Sequence, residues 1–206
     1  MTRITKVLAI SASPSPHSKT AKFVEHVIHR MGTSDLAFTH LRLRDIPGDS
    51  LLTGQMDQAD VANAVKSVED ADAIIIATPI FKAAYSGLLK AFLDILPQFA
   101  LAGKSVLPLA TGGTIAHVLA LDYALRPVLQ SMGARHIIQG YFLPEADITQ
   151  DNGQFHIKES ANAQLMETLY HFQCVLGTPA ADKMLGHPRP ERVSAAWCLP
   201  SLDARH

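Results

Sequence analysis

Ala73-Ile74-Ile75-Ile76-Ala77, closed by Thr78-Pro79, is the stretch that decides the fold. It is apolar at every residue rather than every second one. Such a β-branched run suits a parallel strand covered on both faces. Upstream, Val7-Leu8-Ala9-Ile10 reads as a second buried strand, ending at the Ser-Pro cluster 11–16. Between the two, Phe23, Val24, Val27, Ile28 and Met31 recur at helical spacing over 21–31, with Gly32 as the stop. Residues 37–43 alternate weakly, as a half-buried strand does. Residues 44–58, with Pro47, Gly48 and Gly54, read as a long loop, and 59–69 as a helix.

Downstream the pattern repeats. Residues 87–96 are helical up to Pro97, 105–110 form a strand, and 116–132 read as a helix with Pro127 inside it. A strand at 135–139 and an amphipathic helix at 161–176 follow. Strand alternating with helix about five times implies an α/β sandwich with a parallel sheet between two helical layers. Five strands favour the flavodoxin-like order 2-1-3-4-5. From Gly177 onward, Pro179, Pro188, Pro190 and Pro200 punctuate a text without period. The expectation is a domain over 1–176 and a tail over 177–206.

Composition narrows the function classes. The chain has 206 residues, 48% apolar and 18% charged, against about 25% charged in ordinary domains. That excludes a disordered chain and leaves apolar surface for subunit contacts. Lys plus Arg is 18 and Asp plus Glu 19, a net charge of -1, so nothing draws nucleic acid or an anionic membrane. Cys174 and Cys198 lie far apart, which argues against a disulfide framework or a thiolate metal site and suits a reducing cytoplasm. The apolar run at 7–10 is too short for a signal peptide.

In an open parallel sheet the ligand sits beyond the carboxyl ends of the strands, at the switch in strand order. Three loops meet there. The first, 11–20, carries hydroxyls at Ser11, Ser13, Ser15, Ser18 and Thr20, with Lys19 beside them, just before a helix. A helix start offers unpaired N–H groups and partial positive charge, which suits a phosphate. Ser18 also reads as a plain helix cap. Neither GxxxxGK[ST] nor GxGxxG is present, so a mononucleotide phosphate fits better than a dinucleotide. The second loop, 78–87, offers Phe81, Tyr85 and free backbone amides around Pro79, Ile80 and Lys82. It suits a flat ring, or else is a strand-to-helix turn with core aromatics. The third, 110–114, has Gly112 and Gly113 after Thr111, permitting close backbone approach or simply making a turn.

Other candidates carry less. His26 and His29 stand three apart on a helix without a carboxylate to complete a metal set, and no HExxH occurs. His117 lies close to the third loop. Ser13 lacks the GxSxG setting of a nucleophile. Tyr123 precedes Pro127 by four residues. Proline has no N–H for the Tyr123 carbonyl, so the helix must kink or widen there, and a π-bulge is one way to absorb the defect.

These residues carry a resemblance. ATPIFKAAYSG at 77–87, GKSVLPLATGGT at 103–114 and LDYALRPVL at 121–129 resemble the NAD(P)H-dependent FMN reductases of alkanesulfonate utilisation. ISASPSPHSKT at 10–20 resembles that family's Gly-Ser-Pro phosphate loop, with Ala12 in place of its first glycine and Ser15 in place of an arginine. The likeness spans roughly residues 5–145. It implies a flavodoxin-like fold, FMN, NAD(P)H and a monooxygenase that consumes the reduced flavin. It also implies a homotetramer in which Tyr123 lies on a π-helix near the flavin. Ser13, Ser18, Lys19 and Thr20 would then hold the FMN phosphate, Pro79, Ile80, Phe81 and Lys82 the ring, and Thr111, Gly112 and Gly113 its far edge, with no metal. A quinone or azo reductase with resident FMN is the alternative on the same fold. A non-enzymatic flavin carrier or sensor is a further one, and the near-zero charge disfavours a carrier.

Overall fold

The structure, a computed structural model, describes residues 3–134, 136–151 and 154–176. The tail expected at 177–206, with Trp197 and Cys198, lies outside the described residues. Strands β1 (Thr5–Ser11), β2 (Leu36–Arg42) and β3 (Ala73–Phe81) are parallel. A short β4 (Ala84–Tyr85) folds back antiparallel on the end of β3. β5 (Ser105–Gly112) lies on the other side of β3. The last place is shared by β6 (His136–Ile137) and β7 (Tyr141–Pro144), both parallel to β5. The sheet order β2-β1-β3-β5-β6 is the expected 2-1-3-4-5.

The run that decides the fold is buried on both sides. Ile74 and Ile76 join Leu8, Ile10 and Val106 in a core covered by α2 (Gly48–Thr53), α3 (Ala59–Asp70), α4 (Gly87–Ile95) and α5 (Arg126–Ser131). Ala73, Ile75 and Ala77 join Val7, Ala9, Leu107 and Leu109 under α1 (Lys19–Met31) and α6 (Glu159–Leu176). Each fully buried Ile contributes about 1.5–3 kcal/mol by leaving water, which is why the run cannot sit on a half-exposed strand.

The fifth strand is broken for a reason in β5. Ile138 N–H donates to the Val106 carbonyl at 3.0 Å, so Val106 faces the fifth place, and two residues on so does Pro108. Proline has no N–H to give there. The chain swings past instead at Gly140, where a Cβ would stand 2.7 Å from the Pro108 oxygen and 2.9 Å from Leu121 Cδ1. Only glycine fits that approach. The strand expected at 135–139 is therefore mostly carried by Tyr141–Pro144.

Two further expectations are corrected, and one element is new. Residues 44–58 hold a 3-10 turn, Leu43–Asp45, and the six-residue α2, whose Ser50 and Leu51 are buried. Pro47 ends one turn and starts the next helix, and Gly54 at φ 64 closes it. The helix expected at 116–132 is instead a 3-10 turn (Ile115–His117), a π-helix (Leu121–Leu125) and α5. An antiparallel hairpin of β8 (Ile148–Asp151) and β9 (Gln154–Ile157) was not expected, although Asn152-Gly153, a pair that two-residue hairpins favour, stands between its strands. Among the described residues no helix is long and apolar enough to cross a membrane.

Candidate active site

The first loop runs from the end of β1 into α1. Its backbone is held by its own hydroxyls: Ser15 N–H donates to Ser13 Oγ at 3.3 Å and His17 N–H to Ser15 Oγ at 3.2 Å. Ser18 caps α1, its Oγ accepting from Ala21 N–H at 2.9 Å. Ser13 and Ser18 are buried under the loop. The Thr20 hydroxyl is engaged by the Thr111 hydroxyl at 2.7 Å, both buried, so Thr20 ties the first loop to the third. Lys19 is held sideways, its Nζ donating to Glu145 Oε2 at 2.6 Å. At the base of the loop, Ser11 Oγ bonds His40 Nε2 at 3.0 Å. Burial, and then Arg42, push the His40 pKa below its ordinary value.

The second loop is a hairpin. Phe81 pairs with Ala84 across Lys82-Ala83, which lie at φ 51 and 63. Two consecutive left-handed residues are what a type I′ turn requires, and Asn-Gly normally supplies them. Each of these two carries a Cβ in that region at a cost of about 1–2 kcal/mol. The strain sits at the mouth of the site. Phe81 is 51% exposed, while Ile80 is buried beside the sheet. Tyr85 is half-buried, and desolvation raises its pKa.

Ser86 joins the first two loops, and sequence reasoning missed it. Its buried Oγ donates to the Ala12 carbonyl at 2.6 Å and accepts from Leu89 N–H at 3.2 Å, capping α4. Its N–H donates to Thr78 Oγ1 at 2.9 Å. The signal was present as a serine just before an apolar helix. Arg44 was missed as well. Its Nη1 donates to the Ser15 carbonyl at 3.3 Å, putting a guanidinium on the loop from the β2 side. No sequence signal marks it, because the 3-10 turn that aims it was unexpected.

The third loop follows β5, whose Thr111 stands in register with Pro79. A Cβ on Gly112 would meet Phe142 Cζ at 2.9 Å, whereas Gly113 faces open space. Beyond it, Arg126 N–H reaches the Leu121 carbonyl, the i−5 bond of the π-helix, just before the proline. Arg126 also bonds Asp122 at 2.8 Å and the Ile137 carbonyl at 2.8 Å, fixing the π-helix to β6. Tyr123 lies on it 78% exposed. The short β4 packs against this π-helix, so the second loop and Tyr123 are neighbours. His117 lies on the 3-10 turn, partly exposed. His26 bonds Asn162 at 3.3 Å, and burial lowers its pKa.

The structure thus brings the three loops to one end of the sheet. The donor set fits a phosphate monoester carrying a flat ring. Hydroxyls and amides at the start of α1 suit the phosphate, and the exposed hairpin beside open space at Gly113 suits the ring.

Comparison with known proteins agrees. Residues 5–147 match the family described as NADPH-dependent FMN reductase. An FMN reductase (NADPH) of Pseudomonas putida (strain KT2440) is 34% identical over 195 residues, covering 94% of this chain and 99% of that protein. An FMN reductase (NADPH) of Escherichia coli (strain K12) is 40% identical over 143 residues, 69% of this chain and 75% of that protein. The apo crystal structure of an NADH:FMN oxidoreductase, EMOB, superposes with a TM-score of 0.82 at 46% identity, over 92% of this chain and 100% of that one. With the fold, the three loops and these relatives in agreement, the chain belongs to the NADPH-dependent FMN reductase family, flavodoxin-like oxidoreductases that use FMN and NAD(P)H.

Proposed function

We propose that this enzyme reduces exchangeable FMN with NAD(P)H and delivers the reduced flavin to a partner monooxygenase in organosulfonate sulfur assimilation. The observation that carries this reading is the open ring side of the site. Phe81 is exposed at the hairpin and Gly113 faces open space, an open setting from which a flavin can leave. A relative in Pseudomonas fluorescens (strain Pf0-1), named NADH-dependent FMN reductase SfnF, is 33% identical over 71% of this chain and 80% of its own length.

Held at this site, FMN would supply the acceptor for the hydride of the nicotinamide. The chain's residues do the rest. The start of α1, with Ser13, Ser18 and Lys19, takes the phosphate, with Arg44 on the opposite flank. Thr20 positions this loop through Thr111. Backbone from Pro79 to Lys82 receives the ring, Gly113 leaves room at its far edge, and Gly112 lets that loop pack closely on Phe142. Residues 1–176 act as one unit. Ile115, Val118, Leu119 and Tyr123 are exposed apolar residues on one segment, suited to burial in a homotetramer of two-fold pairs. The cytoplasm supplies both nucleotides.

Deleting Tyr123 tests the exchange role. Removing one residue relieves a one-residue bulge and lets the helix close toward α geometry. The variant is expected to purify yellow, with FMN held through gel filtration and still reduced by NAD(P)H. A folded, colourless variant with ordinary turnover would remove Tyr123 from flavin exchange.

A further inference from the structure

Lys19 is the first residue of α1, and its ammonium is already taken. Its partner Glu145 opens the 3-10 turn Glu145–Asp147, directly after Pro144 of β7. Pro144 stands in register with Gly112 of the third loop. The fold therefore carries a carboxylate from the edge of the sheet, 126 residues along the chain, to the helix start that suits a phosphate. The neighbouring Asp147 is bound elsewhere, to Lys158 at 2.9 Å.

The side chains of Lys19 and Glu145 are 40% and 47% exposed. A pair this wet adds little to folding, so stability gives no strong reason for its position. Its chemistry does give one. A carboxylate and a phosphate offer the same cation the same kind of charge-assisted acceptor. A carboxylate beside a helix N-terminus is also favoured by the same dipole that favours phosphate.

We propose that Glu145 is an internal competitor for the flavin phosphate. In the free enzyme it occupies Lys19, and phosphate binding exchanges one ion pair for another, turning Glu145 out to solvent. Any phosphate beside Lys19 also lies close to a like charge. Glu145 thereby sets FMN affinity below what the loop alone would give, which favours release of the flavin after reduction. Arg44 takes no part in the exchange, because it is engaged by the Ser15 backbone on the other flank. The inference rests on the reading that the start of α1 takes the FMN phosphate.

Riboflavin, which has the same ring and no phosphate, separates the two. Binding of FMN and of riboflavin to the purified full chain, without nicotinamide, is measured by quenching of flavin fluorescence. Glu145→Gln is expected to tighten FMN about three- to fivefold, the scale of one exposed charge pair, and to leave riboflavin unchanged. The gain should shrink as salt is added. Lys19→Ala is expected to weaken FMN alone, and the double variant should lose the gain from Glu145→Gln. Unchanged or weaker FMN binding in Glu145→Gln, with Lys19→Ala still selective for FMN, overturns the role of Glu145 and leaves the phosphate site standing. Equal effects of Lys19→Ala and Ser18→Ala on FMN and riboflavin overturn the phosphate site itself, and the competitor with it. A melting curve confirms that each variant is folded.

Discussion

The loops at 11–20 and 79–87 leave adjacent strands, β1 and β3, and reach the same site by different means. The first is built from side chains. The Ser13, Ser15 and Ser18 hydroxyls accept from the amides of Ser15, His17 and Ala21, so its own side chains hold an irregular path. The second is built from backbone. It continues β3 into a hairpin and turns at Lys82-Ala83, in a conformation that neither residue favours. A loop held by hydroxyls presents polar groups to a phosphate. A loop held by a ladder presents a rigid edge to a ring. The two are fastened by Ser86, which bonds both the Ala12 carbonyl and the start of α4.

The largest expected effect comes from cutting that fastening. Ser86→Ala removes two hydrogen bonds, one of them the α4 cap, and strips the Ala12 carbonyl of a buried donor. Denaturant titration should show a loss of about 2–3 kcal/mol. The KM for FMN should rise as the loops part. A variant as stable as the parent would mean that the loops are independent.

A smaller effect, of opposite sign, sharpens the contrast. Ala83→Gly relieves the left-handed strain at the cost of a more flexible unfolded chain. It should stabilise the protein by about 0.5–1 kcal/mol. If the strained turn holds the ring edge, the KM for FMN should rise even as the melting temperature does. A destabilised glycine variant would show that the turn is not strained.

The smallest expected effect concerns acid. His26 and His40 both have pKa values lowered chiefly by burial from the ordinary 6.5. The unfolded chain therefore binds more protons than the native one below that value, and stability rises with pH. Melting temperature should fall as pH drops below about 6.5. His40→Gln should flatten the fall by freeing the base of the first loop from its titrating partner. An acid-independent melting temperature from pH 7 to 5 would contradict both assignments.

The same contrast decides how much was legible in the sequence. The sheet order followed from Ile74-Ile75-Ile76 and the alternation around it, because burial on both faces leaves an unbroken apolar run. The hydroxyls of 11–20 were legible because their residue types are the chemistry. The widening at Tyr123 was legible from Pro127, whose missing N–H is a local fact. The Lys82-Ala83 turn was not, since neither residue signals positive φ and only tertiary packing enforces it. Arg44 and Glu145 were not, because each acts from an unexpected 3-10 turn, and Glu145 meets Lys19 only through the order of strands. The break in the fifth strand needed Pro108 and Gly140 read together across a register that the sequence does not display.

The central claim is that FMN is turned over rather than kept. NAD(P)H oxidation by the purified enzyme, followed at 340 nm with and without added FMN, tests it most directly. The purified protein is expected to be colourless, to show negligible oxidation alone, and to reach a saturating rate as FMN is added. A yellow protein holding one FMN per chain, with a rate indifferent to added FMN in the presence of a quinone acceptor, would contradict it.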